Sequence, residues 1–578
     1  MTLQQVVVLF VLAVLVVLLI RGHQAPAHVF TGAAAVLLFL NFITLEQVLK
    51  DFSNSGLLTV AALLLVSVAL DKSHLLDVFA DRIVHGGYRW ALLKLTLATS
   101  AYSAFLNNTA VVASLIGPLR ASREHSASRL LLPMCYAASI GGILTLVGTS
   151  TNLLVNTFVI SRGGPPLQMF DLLPVGLLIL ATTTLTMVML YPRMLPQRDA
   201  AEDAPEGYFL EARVNPGSNL VGRSVHDSGL RNLRHLFLSE ILRGDRLIAA
   251  VEPDEVIAAD DVLVFAGDIT RLDVLARFDG LTMYSQRQGL PINNLVEVIV
   301  AAHAHIAHHT VRAVSFRSQF DAAVVAIRRG ERRLPGSIGN TTLEVGDVLV
   351  LAVGKDFEKR NNLTRNFVIV SRPSLSKYIN PHQGVVAVLA FAVVIGLSAF
   401  GVMDLLKGLL LLLAGFLVFG FVRPAELRRN MPFDLILIIG SALVLSDVML
   451  DTGTAKLLSA SLLYVFEPFG PMGALASVLL LTWLLTELMS NNAAAALAFP
   501  IAMAVAEKVG AQPAPFVMAA LYGASASFLT PYGYQTNLMV MAPGRYAFSD
   551  YLRAGAPVAL VYLSTALVTI PFFFPFKV

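Results

Sequence analysis

Two polar clusters interrupt an otherwise apolar sequence: "SAFLNNTAVVASLIGP" at 103–118 and "TELMSNNAAAALAFP" at 486–500. The first offers Ser103, Asn107, Asn108 and Thr109; the second offers Thr486, Ser490, Asn491 and Asn492. A further break follows each. "LTLVGTSTNLLV" (144–155) supplies Gly148, Thr151 and Asn152, and "FLTPYGYQTNLMV" (528–540) supplies Gly533, Thr536 and Asn537. A helix broken at membrane depth leaves free carbonyls on one side and free N–H groups on the other, and is tolerated only inside protein or along a cavity. Carbonyl, hydroxyl and amide oxygens suit a hard cation such as Na⁺, whereas N–H groups at a helix N-terminus suit an anion. Proton-moving carriers usually show an acidic or histidine relay in the membrane. These clusters are neutral apart from Glu487, which favours sodium over protons.

A single cluster reads equally well as a polar loop or as interhelical hydrogen bonding, a common use of Asn in membranes. The order is doubled, however: Asn152 follows Asn108 by 44 residues, and Asn537 follows Asn491 by 46. Two tips followed at nearly equal distance by a Gly/Thr-Asn break read as one site between repeats, the arrangement of secondary transporters with discontinuous helices. Glu487 reads as a gating carboxylate or as a structural one bonded to a buried helix end.

The elements that must position these residues are membrane helices. The 578 residues are 56% hydrophobic and 14% charged, with mean hydropathy +0.69; soluble domains carry about 25% charged residues. The fold class expected is an α-helical polytopic membrane protein. Apolar runs of spanning length fall near 3–20, 25–41, 55–70, 130–160 and 171–192, then near 382–399, 402–421, 432–450, 513–544 and 554–575. The regions 87–119 and 470–507 are apolar but broken at the centre, and read as re-entrant hairpins. The whole is then two inverted repeats with about ten spanning helices and two hairpins. The first apolar run lacks a basic n-region and a small-residue cleavage site, so it reads as a retained spanning helix. By the positive-inside rule, Arg21, the basic stretch 120–129, the interval 194–378 and "RPAELRRN" (423–430) are cytoplasmic, which puts both termini outside and gives the halves opposite topologies.

Nothing between 194 and 378 is long and apolar enough to span. Residues 208–267 alternate short β-branched runs with turns and one short amphipathic helix, and 295–354 repeat that order. Arg243-Gly244 and Arg329-Gly330 each precede an acidic turn and a buried strand, "DDVLVFAG" and "GDVLVLAVG", which argues two small α+β domains in tandem. Arg243, Arg246, Arg328 and Arg332 could meet a phosphate, although solvated hairpin charges explain them as well. "HAHIAHH" (303–309) has no carboxylate or cysteine to complete a metal site. The lone Cys135 excludes a disulfide framework, the net charge of +3 is too dispersed for nucleic acid, and neither a nucleophile–His–acid set nor a GKT/S loop supports an enzyme or ATP-driven transport.

The paired tips and breaks resemble the divalent anion:sodium symporter family, the sodium–sulfate and sodium–dicarboxylate carriers, whose tips carry Ser-Asn-Thr. Here the tips read Asn107-Asn108-Thr109 and Ser490-Asn491-Asn492, each departing at one position. The resemblance covers both membrane halves and implies two co-transported sodium ions. One would be held by Ser103, Asn107, Asn108, Gly148 and Asn152, the other by Thr486, Ser490, Asn491, Gly533 and Asn537. It implies a small inorganic or dicarboxylate anion between the tips, against Asn108, Thr109, Thr151, Asn491, Asn492 and Thr536, and a homodimer in the cell's inner membrane. "TPYGYQTNLMV" resembles the break of sulfate carriers, which favours sulfate over a sodium- or proton-coupled dicarboxylate. The insert resembles two TrkA C-terminal (RCK-C) domains, which implies regulation by a nucleotide or cyclic dinucleotide; no GxGxxG follows a strand. The domains expected are 1–193 and 380–578 in the membrane, with 205–283 and 290–371 as the RCK-C pair. An RCK-gated channel or potassium-uptake component is the rival class. A channel filter needs repeated TVGYG-type carbonyl rings, whereas "TPYGYQTN" occurs once.

Overall fold

The computed structural model describes residues 1–21, 24–70, 84–120, 122, 124–198, 209–230, 236–244, 246–249, 251–267, 280–283, 295–301, 304–329, 332–334, 338–354, 357, 360, 363–369 and 381–577. His303 and the expected domain limits at 205, 290, 371 and 380 lie outside these residues. The chain divides into two units, Met1–Gln197 with Tyr378–Val578, and Arg198–Lys377.

The first unit is helical. Before the insert run α1 (Leu3–Arg21), α2 (Pro26–Phe39), α3 (Leu45–Phe52), α4 (Ser55–Leu70), α5 (Tyr88–Ser103), α6 (Asn108–Arg120), α7 (Ala127–Gly142), α8 (Ser150–Ser161) and α9 (Leu173–Met194). The insert adds two short helices, α10 (Phe316–Phe320) and α11 (Leu363–Asn366). After it run α12 (Pro381–Ala399), α13 (Leu405–Val418), α14 (Pro424–Arg429), α15 (Phe433–Asp451), α16 (Thr454–Phe466), α17 (Gly470–Leu488), α18 (Asn491–Val509), α19 (Pro513–Ala524), α20 (Gln535–Met541) and α21 (Phe548–Phe573). Seven helical stretches among the described residues are long and apolar enough to cross a bilayer, so the chain is a multi-pass membrane protein.

The span count differs from the sequence expectation. The runs 130–160 and 513–544 are each divided, at 143–149 and 525–534, because glycine, proline and hydroxyl residues take the backbone out of the helical ladder there. α16 lies in a stretch given no element from sequence, its apolar face diluted by Lys456, Ser459 and Ser461. The 470–507 region forms two 19-residue helices of span-like length. Ser490 caps α18 through the Ala493 amide, alanines propagate it, and Gly510 ends it in the left-handed region at φ 65°.

Both halves pack by one scheme. α5 lies on α7 and α17 on α19, while α8 packs on α18 and α20 on α6 and α7. Gly142 permits a close approach at the first tip: a Cβ there would stand 2.7 Å from Asn108 Nδ2.

The second unit holds β1 (Phe209–Val214), β2 (Leu236–Arg243), β3 (Arg246–Ala249), β4 (Val262–Gly267), β5 (Leu281–Met283), β6 (Leu295–Val300), β7 (Ala322–Arg329), β8 (Arg332–Arg333), β9 (Val348–Val353) and β10 (Phe367–Ile369). They form two antiparallel sheets with equivalent orders, β3-β2-β4-β1-β5 and β8-β7-β9-β6-β10, each with a register shift at the same place, Leu238/Glu240 and Val324/Ala326. Each buries its own apolar cluster, around Ile241, Leu263 and Phe265 in one and Phe316, Phe320 and Leu349 in the other.

Each sheet is closed by one arginine. Arg243 Nε and Nη2 bond the two oxygens of the fully buried Asp261 at 2.9 Å, and Arg243 also reaches Glu255 and the Val256 carbonyl. Arg329 repeats this on buried Asp347, with Glu344 and the Thr342 carbonyl. Such bidentate bonds raise the pKa of both guanidinium groups. Arg243 is thus engaged within its own sheet, and Arg328 pairs with Glu297; the side chains of Arg246 and Arg332 are not among those described. Among the described residues no group of His, Cys, Asp and Glu is placed to hold a metal.

Arg243→Ala or Arg329→Ala leaves a buried carboxylate half-satisfied, and each is expected to cost about 1–3 kcal/mol. Pulse proteolysis of the purified full-length protein checks this: cleavage within 198–377 should rise sharply for both variants.

Candidate functional site

The tips are built from a hydroxyl and an amide five residues apart. Ser103, in the last turn of α5, donates from Oγ to Asn108 Oδ1 at 2.5 Å. Thr486, in the last turn of α17, repeats the geometry: its Oγ1 lies 2.8 Å from Asn491 Oδ1 and 2.7 Å from the Ala524 carbonyl. Ser527 Oγ is 3.4 Å from the same Asn491 oxygen. All four tip residues are buried, and each pair brings two neutral oxygens together. A hydroxyl proton bridges them here; rotation of that proton turns both oxygens toward a cation.

The breaks are held by asparagines. Asn152 Nδ2 donates to the carbonyls of Gly142 and Thr145 at 2.9 and 2.8 Å, and Asn537 Nδ2 to those of Ser527 and Thr530, both at 3.0 Å. Each asparagine thus reaches carbonyls ten and seven residues back, which would otherwise be unpaired where the helix stops. The spare oxygens differ. Asn537 Oδ1 accepts from the Cys135 thiol at 3.2 Å, while Asn152 Oδ1 is buried with no partner.

The tips then cross over. Asn108 Nδ2 donates to Tyr534 Oη at 2.9 Å, joining the first tip to the second break. Thr151 Oγ1 donates to Asn492 Oδ1 at 2.9 Å, and Asn492 Nδ2 donates to Ser150 Oγ at 3.2 Å, joining the second tip to the first break.

Glu487 is bonded to the second break. Its Oε1 accepts the amides of Phe528 and Leu529 at 2.9 Å, its Oε2 accepts that of Thr530 at 3.0 Å, and Thr530 Oγ1 donates to its carbonyl. The first half has Ala104 there, and its carbonyl accepts from Thr145 Oγ1. No carboxylate is needed in that half. The amides of Ile143 and Leu144 turn back onto Ile140 and Gly141, and Leu146 bonds Met169.

Of the residues singled out from sequence, Ser103, Asn108 and Asn152 gather at the first tip and break, and Thr486, Asn491 and Asn537 at the second. Gly533 faces an oxygen cradle, since a Cβ there would meet the Thr486 carbonyl at 2.9 Å, Thr530 Oγ1 at 3.1 Å and Ser527 Oγ at 3.2 Å. Gly148 packs on the Gly142 carbonyl. Asn492 and Thr151 meet each other, and Thr536 is buried beside Cys135. Asn107 departs from the set: it is exposed, and its Oδ1 takes the Thr109 amide in a local turn. Ser490 serves as the α18 cap. Tyr534, Ser150, Ser527 and Thr530 were not singled out. Tyr534 stands three residues before Asn537, as Thr149 does before Asn152, and that spacing is the signal that could have found it.

The chain matches the sequence model of the citrate transporter family over residues 6–523. It is 30% identical to a Chlamydomonas reinhardtii protein named in connection with regulation of the sulfur deprivation response, over 96% of this chain and 98% of that one. An uncharacterized transporter of Synechocystis sp. is 29% identical over 93% and 92%. Sodium/sulfate cotransporter 1 of C. reinhardtii is 28% identical over 62% of this chain and 42% of its own length.

The three amides on Glu487 generate a test. Glu487→Gln turns an amide donor toward backbone donors and is expected to lower stability by about 1–3 kcal/mol, with Glu487→Ala losing more. Thermal unfolding of the purified protein measures this. An unchanged melting temperature in both variants would make the carboxylate a gating group and not a staple of the break.

Proposed function

The chain belongs to the citrate transporter family and is a membrane transporter, not an enzyme, and we propose that it is of the divalent anion:sodium symporter type and carries a small divalent anion, sulfate first, coupled to sodium. The observation that carries this reading is the repeated pair of converging neutral oxygens, Ser103 with Asn108 and Thr486 with Asn491. The orphan oxygen of Asn152 and the cradle at Gly533 add ligands of the same kind. A hard monovalent cation is what such a set fits, and no carboxylate is needed to bind it. Asn107 and Ser490 join the two sodium sites by turning from their local bonds. The anion lies between Asn108, Thr109, Thr151, Asn491, Asn492 and Thr536, of which Thr151 and Asn492 already bond across the two halves. Tyr534 joins them, its hydroxyl already holding the amide of Asn108.

Sulfate is favoured over a dicarboxylate by the names of the relatives, among them sodium/sulfate cotransporters. The family's own description favours a citrate-type carboxylate and is the second reading. Movement would be by alternating access in a homodimer, with the halves inverted in the inner membrane and the insert cytoplasmic. The matched orders of the two sheets support a tandem RCK-C pair, 205–283 and 290–371, that binds a nucleotide or cyclic dinucleotide and adjusts transport.

Uptake of labelled sulfate and succinate into proteoliposomes, with and without an inward sodium gradient, tests the whole. Sodium-dependent sulfate uptake is expected; sodium-independent uptake would remove the coupling, and potassium conductance would remove the carrier. Ser103→Ala and Thr486→Ala each delete one oxygen and are expected to raise the sodium concentration for half-maximal uptake about tenfold, equivalent to about 1.4 kcal/mol. Gly533→Ala should do the same by filling the cradle.

A further inference from the structure

The two breaks are built alike and then differ at one atom. Asn152 gives its N–H groups to the Gly142 and Thr145 carbonyls, and Asn537 gives its own to those of Ser527 and Thr530. Turning either amide over would set its oxygen against two carbonyl oxygens, so each Oδ1 must point away from the break. Asn537 Oδ1 meets the thiol of Cys135, a residue of α7, which donates to it at 3.2 Å. Asn152 Oδ1 meets no donor, although its residue is fully buried. A buried acceptor is rarely left so, because it has given up water for nothing.

The surroundings of the two asparagines differ as well. Asn152 lies against Gly142, and so does Asn108 of the first tip, since a Cβ on that glycine would stand 2.7 Å from Asn108 Nδ2. The residue ten before Asn537 is Ser527, whose Oγ lies 3.4 Å from Asn491 Oδ1 of the second tip. The first break thus holds an amide oxygen in reserve beside its tip, whereas the second brings a hydroxyl to its tip and has its amide oxygen occupied. An amide oxygen carries no proton and offers its lone pairs to a cation directly; a hydroxyl must first turn its proton aside.

We propose that Cys135 makes the two sodium sites unequal by withholding the Asn537 oxygen from the second, which is therefore the weaker. Cys135 is a positioning residue: it acts through Asn537 and touches neither ion nor anion. A thiol is a weak donor, so its hold biases the amide without locking it. The proposal takes the sodium-coupled reading as its premise and removes the equivalence of the two halves from it.

The test is the sodium dependence of thermal unfolding of the purified full-length protein, with choline replacing sodium to keep ionic strength fixed. An ion that binds only the folded chain raises the melting temperature according to its affinity. Cys135→Ala removes the donor and frees Asn537 Oδ1. This variant should melt lower than the unsubstituted protein without sodium, yet reach half of its sodium-induced rise at a several-fold lower sodium concentration. Cys135→Ser, whose hydroxyl still donates, should keep the unsubstituted sodium requirement or raise it. A thiol that only packs would lower the melting temperature and leave the sodium midpoint in place. An unmoved midpoint in Cys135→Ala, or an equal fall in Cys135→Ser, would overturn the proposal. If Cys135→Ala does not fold, Cys135→Val fills the space without a donor and makes the same comparison. An unsubstituted protein that sodium does not stabilise, and that takes up sulfate without it, would defeat the sodium reading itself. Stabilisation by sodium with an unmoved midpoint would defeat only the role of Cys135.

Discussion

A helix that stops inside an apolar layer must give its unpaired carbonyls and amides to something other than water, and the membrane unit is organised around that need. Three side chains meet most of it. Asn152 and Asn537 each take two carbonyls at a break, and Glu487 takes three amides at one of them. Ser103 and Thr486 complete the tips. The buried glycines and alanines are what let these short polar groups reach their partners. An unmet amide or carbonyl in this setting costs several kcal/mol, so the polar clusters are conditions of the fold before they are conditions of binding.

Much of this was legible from residue order. A polar tip and a Gly/Thr-Asn break at matched spacing pointed to Asn108, Asn152, Asn491 and Asn537, and these are the residues that hold the tips and breaks together. The length of α18 was less legible, because a run of alanines reads equally as a short half-helix or a full one until the cap at Ser490 and the stop at Gly510 are known. The division at 143–149 could be located but not its partners, since Leu146 bonds a residue of another segment, Met169. Tyr534 was passed over although it stands three residues before Asn537, as Thr149 does before Asn152. Only the tertiary fold brings its hydroxyl to Asn108.

The second unit, Arg198–Lys377, shows the same economy. An arginine ending one strand, an aspartate 18 residues on, and an amide three residues before that aspartate form one clasp, and the chain makes it twice. The Arg-Gly pairs and acidic turns were visible in the sequence as hairpin chemistry. That they face each other was not, because a charge pattern does not say whether a guanidinium meets solvent, a ligand or its own sheet.

The crossing of the tips also bears on how the protein is made. Asn108 and Tyr534 are 426 residues apart, and Thr151 and Asn492 are 341 apart. The first half is synthesised long before its partners exist, with the whole insert 198–377 still to come. Its tip must wait without exposing polar groups to lipid, and the bonds Ser103 to Asn108 and Asn152 to its own carbonyls keep it closed on itself in the meantime. Transport competence therefore arises only once the last break is laid down beside a first half that was already self-sufficient.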